Sequence, residues 1–176
     1  MRPLDRVMTL MDWMVNEFTF GAPGALLAVL YLAPNSPPKK GVFKKRNPPD
    51  REAAIAGVRN AAWDLTQLSD LTAKVNAQAE HGVKRYIFAT FDELLRTQAK
   101  LVFKYGTGDA PLTDLAEALS AWWPSGEARQ LAKTLDLHLA RVAAPGWARE
   151  VQLTYQTVVD LIRESEERVR RTVPRW

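Results

Sequence analysis

The chain contains no cysteine among its 176 residues and only two histidines, His81 and His138. The absence of cysteine excludes disulfides, zinc ribbons, iron–sulfur clusters and thiol nucleophiles, and it is typical of a reducing compartment. Two histidines are too few for a multi-histidine metal site. The sequence also lacks the GxxxxGK[ST], GxGxxG, HExxH and GxSxG motifs, so nothing favours a P-loop NTPase, a dinucleotide-dependent oxidoreductase, a zincin or an α/β-hydrolase.

Long hydrophobic runs are also absent. The longest, from Ala25 to Ala33, is much shorter than the roughly 20 residues that a membrane-spanning helix needs. Residues 1–6 carry charges and do not resemble the start of a signal peptide. The sequence therefore predicts a cytoplasmic protein with no membrane partner. Its balance of 47% hydrophobic and 25% charged residues, with a net charge of +4, is ordinary for a globular domain.

Apolar residues recur at helical spacing through most of the chain. The first such stripe stops before Gly21, and a long helix is expected from the N-cap Asp50 to about Glu80. Trp63 lies beside Ala61 and Ala62 on this helix and is expected in the core. Another helix should follow Asp92, and residues 109–176 have helical patterns only.

Two segments have the composition or length of strands. Ala25–Ala33 is short enough for a buried strand, but its Leu and Ala content slightly favours a helix. Residues 84–91 are rich in aromatic and β-branched side chains and predict a strand that ends at Asp92. We therefore predict a mostly α fold with an α/β core and a small parallel sheet (residues 1–108), on which a C-terminal helical extension (residues 109–176) packs.

Acidic residues are the candidates for chemistry. Asp92 follows the predicted strand, where ligands gather in α/β sheets, and Asp64 lies on the preceding helix. Asp12 and Glu17, on the first helix, are candidates for completing a metal site. Simpler roles stay open, because Asp92 can act as a helix N-cap and Asp64 can face water or pair with a neighbouring cation.

The segments Trp63-Asp64-Leu65 and 87–95 resemble the second half of PIN-like ribonuclease domains. In that family an aromatic–Asp pair opens a helix and a later strand ends in Thr-x-Asp. The resemblance implies that Asp64 and Asp92 are catalytic and bind Mg²⁺ or Mn²⁺ to hydrolyse RNA. The family's first strand, which ends in an Asp, has no counterpart here, so a truncated or degenerate member stays open.

A basic segment and one amide are the predicted nucleic-acid contacts. Asn60 shares a helical face with Asp64, and five cations lie within eight residues of a proline-rich loop: Lys39, Lys40, Lys44, Lys45 and Arg46. They would bind phosphates without sequence preference.

Two functions stay open at this point. The first is a metal-dependent PIN-like nuclease acting on RNA, or a degenerate nucleic-acid-binding derivative of one. The alternative is a non-enzymatic, all-helical interaction module, such as a subunit of a nucleic-acid complex or an antitoxin-like partner. A protein partner or a homo-oligomer stays open for either function. A strand at Ala25–Ala33 would favour the first function, and a helix there would favour the second.

Overall fold

The computed structural model describes residues 1–18, 20–38, 50–77, 84–105, 111–144, 146–147 and 154–172. Seven helices lie within these ranges: α1 Pro3–Asn16, α2 Ala22–Leu32, α3 Arg51–Asn76, α4 Glu93–Tyr105, α5 Leu112–Leu119, α6 Ser125–Ala143 and α7 Tyr155–Arg171. None of the described helices is both long and apolar enough to span a bilayer.

The prediction of a small parallel sheet is wrong, because the described residues contain helices and no strand. Ala25–Leu32 belongs to α2, where Pro23 occupies the first turn and the Ala and Leu residues have high helix propensity. Residues 84–91 are neither helix nor strand. Their side chains suit a sheet, but β propensity needs a neighbouring strand to pack against, and the described part of the chain offers none.

Helix α2 lies at the centre of the fold. It packs against α1, α3, α4 and α6, and all six residues from Ala25 to Leu30 are buried. A helix that is apolar on every side is stable only when other elements cover it, which explains this position. Pro23 in the first turn and apolar residues on every side of the segment therefore indicate a core helix here rather than a core strand.

The C-terminal helices share this core. Helices α5 and α6 form a hairpin, and α6 also packs on α1 and α2. Leu131 and Leu135 of α6 join the same buried cluster as Leu30. The only described helix without a buried residue is α7, which packs on α3. The division of the chain at residue 108 stays a prediction.

Candidate functional site

Asp92 is a helix N-cap in the structure. Its Oδ1 accepts a hydrogen bond from the Leu95 backbone N–H at 3.0 Å, and its own N–H donates to Thr90 Oγ1 at 3.1 Å. The carboxylate thus satisfies one of the N–H groups left without a partner at the start of α4 and lies favourably at the positive end of the helix dipole. This is the simpler of the two roles that the sequence left open for Asp92.

Asp64 and Asn60 lie on the exposed surface of α3. Trp63 beside them is 65% exposed, so the prediction that it belongs to the core is wrong. The buried face of α3 instead carries Ile55, Ala61 and Leu68. An exposed carboxylate remains hydrated and carries no burial penalty, so Asp64 needs no metal or cation to be stable.

Asp12 is exposed on α1 and Glu17 is exposed at the C-cap of that helix, and Asp12 has a neighbour on α6. Its Oδ1 lies 3.5 Å from His138 Nε2, too far for a good hydrogen bond. Burial lowers the pKa of His138, and the nearby Asp12 carboxylate offsets only part of this shift. Among the described residues, no three acidic or histidine side chains are placed to hold a metal together. A shared Mg²⁺ or Mn²⁺ at Asp64, Asp92, Asp12 and Glu17 stays a prediction.

The predicted phosphate contacts lie outside the described residues. These are Lys39, Lys40, Lys44, Lys45 and Arg46, whereas Asn60 is described and exposed. Binding of nucleic acid through this segment therefore stays a prediction.

The capping geometry and the metal prediction can be separated by substitution at Asp92. Asp92→Asn keeps a side-chain oxygen that caps as well as Asp, so we expect nearly unchanged stability, whereas Asp92→Ala should cost about 1 kcal/mol. Thermal melting of the parent and both variants with and without Mg²⁺ or Mn²⁺ measures this. A metal-dependent rise in the melting temperature of the parent that Asp92→Asn abolishes would instead favour the metal site, because a ligand of the folded state stabilises it.

An apolar groove lies between α1, α3 and α7. It has a volume of about 290 Å³. Its apolar lining comprises Trp13, Phe18, Ile55, Val58, Ala62, Leu161, Ile162 and Val169. We call this surface the α1/α3/α7 groove.

One wall of the groove is an aromatic pair at the end of α1. The rings of Trp13 and Phe18 stack with centroids 5.0 Å apart and planes 10° from parallel. Val58 on α3 and Ile162 on α7 are each 50% exposed at the opposite walls. Apolar side chains from three helices thus leave a contiguous patch in contact with water, which is a common mark of an interaction site.

Ion pairs hold α7 against α3 beside this groove. Arg59 donates two hydrogen bonds of 2.7 Å to the Glu166 carboxylate, and these lower the pKa of Glu166. Arg170, one turn further along α7, donates to Glu52 of α3 at 2.6 Å. Exposed pairs of this kind fix register more than they stabilise. They set how far α7 covers α3 and hence how much of the groove stays open.

Sequence reasoning missed this groove. Its apolar lining residues recur at helical spacing within α3 and α7, and such stripes are expected to face the core. The signal that could have revealed the groove is the excess of apolar residues on α3, which lie on more than one face of the helix. Val58 and Trp63 are exposed, whereas Ile55 and Leu68 are buried. The chain matches no family model, and the comparisons with curated proteins and with solved structures found no match.

Proposed function

We propose that this chain is a non-enzymatic helical module that binds an amphipathic helix of another protein in the α1/α3/α7 groove. The observation that carries the proposal is the groove itself, which half-exposed Val58 and Ile162 line together with the Trp13–Phe18 stack. The central helix α2 supports it as well, because a helix at Ala25–Ala33 was the feature expected of an interaction module.

The open shape of the groove favours side chains of a protein over a small-molecule substrate, which a pocket usually encloses. Pockets for small ligands and cofactors usually measure about 300–1,000 Å³, and they enclose most of the ligand. The groove measures about 290 Å³, is open to solvent and presents mainly apolar groups. It therefore suits a few apolar side chains projecting from one face of a partner.

The walls of the groove favour a helical partner. Helix α7 already packs on α3 without burying any of its residues completely, and its Leu161, Ile162 and Val169 line the groove. A further helix with apolar residues at i, i+3, i+4 and i+7 would continue the same ridge-and-groove packing and cover the exposed edge of α7. The Arg59–Glu166 pair at the rim offers hydrogen-bonding groups of both charges to the polar flank of that helix.

The nuclease proposal has no comparable support. It rested on carboxylates at the carboxyl end of a strand, and the residues that the structure describes include no strand. Cleavage of RNA stays a prediction, and the metal titration of the parent and Asp92→Asn tests the metal site that it requires.

A selection experiment tests the proposed helix-binding groove. A displayed library of 20-residue amphipathic helical peptides is enriched against the protein, and the strongest peptide becomes the probe. We expect a dissociation constant on the order of micromolar, and we expect Val58→Glu to weaken binding at least about tenfold, equivalent to about 1.4 kcal/mol. Trp13→Ala should weaken it by about 2 kcal/mol, as aromatic anchors usually do.

Matched controls exist for both substitutions. Leu137 on α6 is 57% exposed and lies outside the groove lining, so Leu137→Glu adds the same charge at a similar apolar site. Trp63→Ala removes an exposed tryptophan of α3 that does not line the groove. If enrichment yields no helical peptide, or if both controls weaken binding as much as the groove variants, the proposal is wrong.

A further inference from the structure

Helix α7 forms one wall of the α1/α3/α7 groove without being anchored in the core. It packs on α3, and none of its residues is fully buried. Its Leu161, Ile162 and Val169 line the groove, so part of its apolar side borders this opening instead of packing tightly on α3. Burial of apolar surface is the main force that holds one helix on another, and α7 obtains little of it.

A network of four charged side chains joins α7 to α3. Arg59 of α3 donates two hydrogen bonds of 2.7 Å to Glu166 of α7. Arg170 of α7 lies 3.5 Å from the same carboxylate and donates to Glu52 of α3 at 2.6 Å. Each helix thus contributes one acid and one arginine, and the charges alternate from Arg59 to Glu52. We call these four side chains the α3/α7 network.

Solvent reaches both ends of the α3/α7 network. The side chain of Arg59 is 65% exposed and that of Glu52 is 66% exposed. Exposed ion pairs contribute little to stability, and salt weakens them, because the screening length falls from about 10 Å at 0.1 M to about 3 Å at 1 M. Solution conditions therefore control the contacts that keep α7 on α3.

We propose that the α3/α7 network regulates the groove by keeping α7 docked on α3. This inference rests on the proposed function and adds how the same site is controlled. Release of α7 removes Leu161, Ile162 and Val169 from the groove lining at once. A partner helix then binds less tightly, because only the docked fraction of the protein offers the complete groove.

The affinity for an uncharged helical peptide is expected to fall as salt rises. The probe is a selected amphipathic peptide whose polar face carries only Gln and Ser, so salt cannot screen charges on the peptide itself. Between about 0.1 M and 1 M sodium chloride we expect its affinity to fall at least about threefold, because the α3/α7 network is screened. Apolar contacts alone predict no such fall, since salt does not weaken apolar burial.

A crosslink that replaces the ion pair between Glu52 and Arg170 tests the same inference. Neither residue lines the groove, and the chain has no native cysteine, so a Glu52→Cys, Arg170→Cys variant can be joined by a short bis-maleimide at these two positions alone. Before linking, we expect weaker peptide binding than in the parent. After linking, binding should recover and lose its salt dependence, and amide exchange in residues 155–171 should slow at least about tenfold. Exchange in α2 should not change.

The matched control removes an exposed acid–arginine pair elsewhere. Glu93 and Arg96 of α4 lie 3.8 Å apart, so a Glu93→Cys, Arg96→Cys variant makes the same chemical change and should bind the peptide like the parent, linked or not. If the parent binds the peptide but neither salt nor the crosslink between α3 and α7 changes its affinity or the exchange of α7, the regulation is overturned and the groove stands. If the parent binds no helical peptide, the proposed function fails and this inference fails with it.

Discussion

Trp123→Ala is expected to lower the free energy of unfolding by about 3–5 kcal/mol, the usual cost of truncating a fully buried large side chain. Trp123 follows α5 and is only 2% exposed. Its indole Nε1–H donates to the Val29 carbonyl oxygen at 3.0 Å, which ties the α5–α6 hairpin to the centre of α2. The substitution leaves a cavity and removes that hydrogen bond, so both effects add.

Trp63→Ala provides the matched control, because it makes the same chemical change at a site that is 65% exposed. We expect a loss of less than about 1 kcal/mol, since surface substitutions seldom exceed that. Urea denaturation of both variants measures the difference. Equal losses, or a larger loss for Trp63→Ala, would mean that the core is not organised around α2 as described.

Gln98→Glu is expected to destabilise the protein by about 3 kcal/mol or more at pH 7, because it buries a charge without a cationic partner. Gln98 on α4 is fully buried. Its Nε2 donates to the Pro23 carbonyl oxygen at 2.7 Å, whereas its Oε1 has no hydrogen-bond partner among the described residues. Replacing the donor with a carboxylate oxygen turns an attractive contact with Pro23 into a repulsive one.

The free energy of unfolding of Gln98→Glu is expected to fall as the pH rises. Burial raises the pKa of the introduced carboxyl in the folded state above the unfolded value of about 4.3. Below the unfolded pKa the acid is protonated in both states and can donate to Pro23, so the penalty disappears. As pH rises through that value the unfolded state releases its proton first, and stability falls until the folded pKa is passed. Equilibrium denaturation between pH 4 and pH 7 measures the trend.

Gln98→Met is the control, because Met has a similar shape and introduces no charge. It removes the hydrogen bond to Pro23 but also the unpartnered Oε1, so we expect a change within about 1.5 kcal/mol and the same pH dependence of stability as the parent in this range. A Gln98→Glu variant as stable as Gln98→Met at pH 7 would contradict the buried position of this side chain.

Local signals in the sequence predicted several helix boundaries. Asp50 caps α3 by accepting hydrogen bonds from the N–H groups of Glu52 and Ala53, as its residue type indicates. The helix after Asp92 begins where its capping residue predicts. These features depend on contacts within one turn of helix, and a single sequence contains that information.

Tertiary context decided the features that the sequence did not predict. Residues 84–91 have strand propensity but no neighbouring strand among the described residues, so the expected sheet is not formed. Trp63 lies next to small apolar residues on α3, yet its direction on the helix turns it towards solvent. The α1/α3/α7 groove joins residues as distant as Arg59 and Glu166, which are 107 positions apart, and no local pattern reveals that they meet.

The binding of a helical peptide at Trp13 is the central claim, and the indole signals of the protein test it most directly. The six tryptophans give six side-chain N–H resonances in an ¹⁵N-labelled sample, assigned by single substitutions. On titration with the selected amphipathic peptide we predict that the Trp13 indole shifts in a saturable way, while the signals of Trp63 and Trp123 stay in place. A titration that leaves the Trp13 signal unchanged, or that moves Trp63 instead, would contradict the account.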